Sequence, residues 1–132
     1  MEVKIDTKEK FTVVTPVTAN LSANIAAELI SICNDLLHQP VKNVILNMSE
    51  AATLDPSIAG TITDLQQQFY EKSASFVICN LSDAAIQTLD QLELTELLNI
   101  TPTESEAWDI VQMEEIEREL LDGDDVNFET ND

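Results

Sequence analysis

Basic residues are scarce in this chain. Six lysines and arginines stand against 25 aspartates and glutamates, a formal net charge of −19 over 132 residues. A nucleic-acid groove needs clustered Lys and Arg, so the composition excludes one. An anionic membrane surface would repel the chain as well, whereas a basic protein partner would be drawn to it. Glycine is rarer still. With two glycines and four prolines a loop-rich or all-β design is disfavoured, and Gly60 and Gly123 are too far apart for a phosphate-cradling loop. No apolar run approaches the ~20 residues of a membrane span, so no membrane insertion is expected. No basic segment followed by an apolar one opens the sequence, as a secretory signal would. Cys33 and Cys79 form no CxxC pair; buried, reduced thiols and a cytoplasmic home are the expectation. A single histidine, His38, excludes a zinc set and a nucleophile–histidine–acid triad built around a second one. Carboxylates are so abundant that a pair such as Asp55 and Glu50 is no evidence of acid–base chemistry. No catalytic residue, metal or cofactor is therefore expected, and the chain does not read as an enzyme.

What is present is a regular alternation of short apolar runs and amphipathic stretches. Val3–Thr7 and Phe11–Val17, separated by Lys8-Glu9-Lys10, predict an antiparallel strand pair. Asn20–Gln39 places Ile25, Leu29, Ile32 and Leu36 on one helical face, with Ser22 or Asn20 as its cap, and ends at Pro40. Val41–Met48 reads as the central strand. A helix from about Pro56 to Lys72 follows, its inner stripe Ile58, Ile62, Leu65 and Phe69. Ser75–Asn80 is apolar without alternation, the pattern of a strand buried on both faces. Ser82 caps a third helix through about Gln91, and Leu97–Ile100 makes a short last strand. Thr103-Glu104-Ser105-Glu106 is a capping box for a final helix expected to reach Leu121, with Gly123 as its stop. Residues 1–121 thus form one α/β domain: a mostly parallel four- to five-stranded sheet, an antiparallel N-terminal strand and about four helices. Residues 122–132 read as a short, acidic, disordered tail. From Glu114 to Asp132 nine acids face Arg118 alone, a net −8.

The chemistry-bearing feature is the junction after the central strand. Asp55 is placed to cap free backbone N–H groups, and Pro56 suits the first helical position, where its missing N–H costs nothing. A helix start of this kind also favours negative charge, phosphate included. Ser57 stands exposed in the first turn; Thr53 and Thr61 are weaker hydroxyl candidates. Trp108 lies off the inward face of the last helix, either packing on the sheet or serving as an aromatic anchor for a partner. The acidic continuation of that helix reads as a solvated end.

The order of elements resembles the STAS domain, the fold of bacterial anti-sigma-factor antagonists and of the cytoplasmic tails of sulphate transporters. Four stretches carry the resemblance: VKNVILNMS, LDPSIAG, FVICNLS and LLNITPTESEAWDIV. It implies a non-enzymatic regulator whose partner is an anti-sigma factor or a kinase-like regulatory protein. Binding that partner frees a sigma factor for transcription. The implied contact surface is Asp55, Pro56, Ser57, Ile58 and Gly60, with residues 18–22, and Ser22 among them, alongside. In the family the kinase phosphorylates a serine or threonine directly after the junction aspartate. Here that position is Pro56, which has no hydroxyl, and Ser57 is left as the candidate phosphoacceptor. Ile58 stands where the family has glycine, and Ser22 where many antagonists carry an aspartate. The alternative implied by the same resemblance is a phosphorylation-independent subunit of a transporter or other regulatory assembly. A homodimer stays open.

Overall fold

The computed structural model describes residues 2–130; side chains beyond Leu121 lie outside the described residues. The architecture follows from two strands that are apolar on both sides. β4 (Val44–Asn47) and β6 (Phe76–Cys79) sit in the middle of a five-stranded sheet whose order is β1-β2-β4-β6-β7. β1 (Glu2–Thr7) and β2 (Thr12–Val17) are antiparallel, with Thr7 opposite Thr12, and Lys8 N–H closes the turn on Phe11 C=O at 2.8 Å. β2, β4, β6 and β7 (Ile100–Thr101) run parallel.

Because side chains alternate across a strand, β4 and β6 feed two separate cores. Val44, Leu46, Phe76 and Ile78 point to one face. There they meet Leu29 and Cys33 of α1 (Ala26–Leu37), Ile58, Ile62, Leu65 and Phe69 of α2 (Pro56–Glu71), and Ala85 and Leu89 of α3 (Asp83–Gln91). Phe69 and Phe76 pack with ring centroids 5.2 Å apart at 59°, a tilted pairing that suits the aromatic quadrupoles. Ile45, Val77 and Cys79 point to the other face. With Phe11, just before β2, and Val13 of β2 they are covered by Ala107 and Val111 of α4 (Glu104–Thr130). Cys33 and Cys79 therefore lie on opposite sides of the sheet, and no disulfide between them fits this fold. Burial pushes each thiol up to about 12, so neither is a reactive thiolate near neutral pH.

Several elements differ from the sequence expectation. A two-stranded parallel ladder, β3 (Asn20–Leu21) with β5 (Thr53–Leu54), was not legible. Asn20 belongs to that ladder, and Ser22 precedes a 3₁₀ turn (Ala23–Ile25) without a side-chain cap bond, so neither caps the first helix. β7 begins three residues later than expected, at Ile100. α4 continues through Gly123 to Thr130. A glycine needs an unwound backbone to stop a helix, and intrinsic preference alone is a weak force. The acidic tail at 122–132 is described only as backbone, to Thr130; its expected disorder falls on residues whose side chains and final two positions lie outside the described residues.

A polar network ties α4 to the rim where the parallel strands begin. Asn43 donates to Lys10 C=O (2.9 Å) and to Glu115 (2.7 Å), and accepts from Ser75 N–H (2.8 Å). Tyr70 donates to Glu114 at 2.7 Å, and Arg118 donates to Ser75 Oγ at 3.1 Å. Asn43 and Ser75 are buried, and these bonds satisfy polar groups that would otherwise be costly there. Phe76→Ala removes a fully buried ring from the larger core and is expected to lower unfolding stability by about 3–5 kcal/mol in urea titration, with the secondary structure of the folded protein retained.

Candidate functional site

The C-terminal rim of the parallel sheet carries the junction. Met48 N–H donates to Cys79 C=O at 2.9 Å, holding the ends of β4 and β6 level. The chain then loops through Asn47–Ala52. Asn47 orders the loop from within: its Oδ1 accepts from Ser49 N–H (2.9 Å) and its Nδ2 donates to Glu104 (2.9 Å) at the start of α4. Ala52 and Thr53 N–H both donate to Ala19 C=O at 3.0 Å. Thr53 Oγ1 donates to Asn20 Oδ1 at 2.7 Å.

Leu21 pairs with Leu54, and Asp55 N–H donates to Leu21 C=O at 2.8 Å. Ser22 and Asp55 thus leave the small ladder side by side. The structure brings the 18–22 segment against the junction, as the sequence reading expects. Ser82, at the cap of α3, joins the same rim: its Oγ accepts from Ala85 N–H (3.0 Å) and donates to Ala52 C=O (2.6 Å). The second of these bonds links two loops 30 residues apart and had no signal in the sequence. Asn80, after β6, has a left-handed φ of 59°, which asparagine tolerates. Its Oδ1 is buried with no hydrogen-bond partner among the described residues.

Asp55 caps α2. It has extended backbone, and its Oδ1 accepts from Ser57 N–H at 2.9 Å and from Ser57 Oγ at 2.8 Å. These two bonds, the backbone one first, hold the carboxyl below its usual range, with slight burial opposing them. Pro56 occupies the first helical position as expected. Pro56, Ser57 and Gly60 are exposed. A Cβ built on Gly60 would meet nothing within 4 Å, so no internal contact requires glycine there, and the helix backbone is open to an approaching surface.

One expected contact residue is corrected. Ile58 is fully buried, at 0% exposure, among Ile62, Leu65 and Phe69. It anchors the first turn of α2 from beneath and cannot touch a partner. Its place in the i, i+4, i+7 stripe of the helix already demanded this.

The other candidates fall elsewhere. His38 closes α1, its Nδ1 2.8 Å from Asn34 C=O. Trp108 packs on Phe11 with centroids 6.4 Å apart and remains 40% exposed. It covers the start of β2 on the α4 side of the sheet and belongs to neither the junction nor the 18–22 segment. Among the described residues no three His, Cys, Asp or Glu side chains converge on a metal-sized site, and no helix is long and apolar enough to cross a membrane.

The STAS domain family model matches residues 2–107, and the chain belongs to that family. Solved structures share the fold at low identity. An anti-sigma factor antagonist from Thermotoga maritima, described as putative, superimposes with a TM-score of 0.73 at 16% identity, covering 83% of this chain and 94% of that one. The antagonist SpoIIAA in its unphosphorylated form gives 0.68 at 16%, covering 84% and 96%. The murine anion transporter Slc26a9 gives 0.64 at 14%, covering 79% of this chain but 18% of the transporter. No curated protein sequence matches at a significant level.

The cap geometry yields a titration forecast. In Ser57→Ala the backbone bond to Asp55 persists and the hydroxyl bond is lost, so α2 stays folded and the Asp55 pKa rises toward its ordinary value of 3.8. Because the native pKa is depressed, the stabilisation linked to Asp55 is complete above the unfolded pKa and disappears as pH falls through the folded one. Carboxyl-resolved NMR titration of both proteins checks the shift; an unchanged Asp55 pKa would mean the hydroxyl bond is not formed in solution.

Proposed function

We propose that the chain is a non-enzymatic docking module of the antagonist kind, which captures an anti-sigma factor or a related kinase-like regulator and so releases a sigma factor. The observation that carries this reading is the junction itself. Asp55, Pro56, Ser57 and Gly60 form an accessible helix start, flanked by Ser22 and held by capping and ladder bonds on every side. A surface already ordered before contact loses little conformational freedom on binding, which favours affinity. Family membership and the likeness to antagonist structures support the general kind.

Regulation at this turn is read as independent of the usual modification. The position after the junction aspartate is Pro56, and a proline accepts no phosphate. On Ser57, a phosphate would add about −1.5 to −2 charge beside a carboxylate that now accepts a hydrogen bond from the serine hydroxyl. The helix start offsets that repulsion by about 0.3–1 kcal/mol at an exposed site, yet Asp55 would lose the hydroxyl bond and keep only the one from Ser57 N–H. Docking without a phosphate cycle is therefore favoured. Pro56 also supports a second reading, a constitutive STAS subunit of a transporter or similar assembly, and the fold likeness to an anion transporter's domain is compatible with it.

Copurification of the tagged chain from its native cell, followed by mass spectrometry, separates the two readings. Recovery of a kinase-like regulator is expected, together with an unmodified peptide spanning Thr53–Asp64. Gly60→Arg should abolish the recovery without lowering the melting temperature, since the added side chain projects into open space and arginine suits a helix better than glycine. Recovery of transporter components instead would favour the second reading. A partner retained in full by the Gly60→Arg protein would overturn the assigned surface.

A further inference from the structure

We propose that the outward face of α4 is a second docking surface, whose occupant is a basic amphipathic helix of another protein. The inward side of α4 is fixed by contacts. Ala107 and Val111 are buried under the sheet, Ile110 is partly so, and Glu114, Glu115 and Arg118 are bonded to Tyr70, Asn43 and Ser75. With the rotation of the helix set in this way, Met113, Ile116 and Leu120 face outward, and they are 56%, 50% and 60% exposed. At about 100° per residue, Ile116 lies opposite Ala107. The three apolar side chains follow the i, i+3, i+7 spacing of a helix–helix seam. Nothing within the described domain covers them. A solvated helix end has no need of such a stripe.

Charge selects the occupant. Asp109, Glu117 and Glu119 flank the stripe and are exposed. Arg118 is the one basic residue between Glu104 and Asp132, and it points inward to Ser75, so the outward face from residue 104 to 121 carries acids alone. A second copy would bring two acidic flanks of a −19 chain together, and like charges across a helix pair are destabilising. A helix with leucine-like residues at the matching spacing and Lys or Arg beside them has both the apolar and the charged complement. The face lies on the side of the sheet opposite α2, so it is independent of the junction around Asp55.

The test uses the full chain and synthetic helical peptides. One carries leucines at i, i+3 and i+7 between lysines; a second has the lysines replaced by glutamates; a third is the basic peptide scrambled. Titration followed by fluorescence anisotropy should show saturable binding of the first alone, weakened by added salt. The double variant Ile116→Ser/Leu120→Ser should lose at least about tenfold in affinity through the missing apolar contact. Its thermal melt should match the parent, since both side chains are exposed. Gly60→Arg should bind the peptide unchanged, which separates a failure here from a failure of the junction reading. Absence of binding, equal binding of the scrambled or acidic peptide, or an unaffected double variant would each overturn the proposal. So would self-association of the parent chain that the double variant abolishes, which would make a second copy the occupant.

Discussion

The whole arrangement depends on β4 and β6 being apolar on both faces. A strand of this kind is stable only when both sides of the sheet are covered. α1, α2 and α3 take one side and α4 the other. The coverage fixes where everything else falls. Parallel strands joined through helices place the strand ends and helix starts on one rim, where Asp55 caps α2 and Ser82 caps α3. The opposite rim receives the middle of α4 through Asn43, Ser75 and Tyr70. One rim is thereby occupied by the protein's own helix, and the other presents the exposed Pro56, Ser57 and Gly60 to solvent.

Order at the open rim is a matter of backbone bonds more than of side-chain burial. Ala19 and Leu21 carbonyls accept from Ala52, Thr53 and Asp55, so the loop after β4 is stitched to the segment before α1. Ile58 locks the first helical turn to the core below. Pro56 fixes the backbone between them. It also leaves no hydroxyl directly after Asp55. Ser57 directs its hydroxyl at Asp55 and so adds to the cap. Both residues strengthen the turn: the proline by its fixed φ and the serine by its bond to the cap.

The large elements were legible in the sequence because each is long enough to show a period or a cap. SFVICN lacks alternation and is buried on both faces. LDPSIAG reads as cap, first-turn proline and inward stripe, and all three are present. The β3–β5 ladder was hidden because two-residue strands have no measurable period. The network around Asn43 was hidden for a different reason. Its members are polar and lie up to 75 residues apart, and no local pattern links them. Glu114 and Arg118 read as part of an acidic solvated end, yet both turn inward. The family motif puts Ile58 on the contact surface, against the helical stripe that marks it as core. Physical periodicity was the better guide there.

On the proposed reading, the accessible turn from Asp55 to Gly60, with the neighbouring 18–22 segment, meets the partner in its unmodified form. Hydrogen–deuterium exchange of the unphosphorylated chain, alone and with the copurified partner, tests it most directly. The account predicts new protection confined to residues 18–22 and 53–61, appearing without any phosphate on Ser57. Protection elsewhere with these segments unchanged, or protection that requires phosphorylated Ser57, would contradict it.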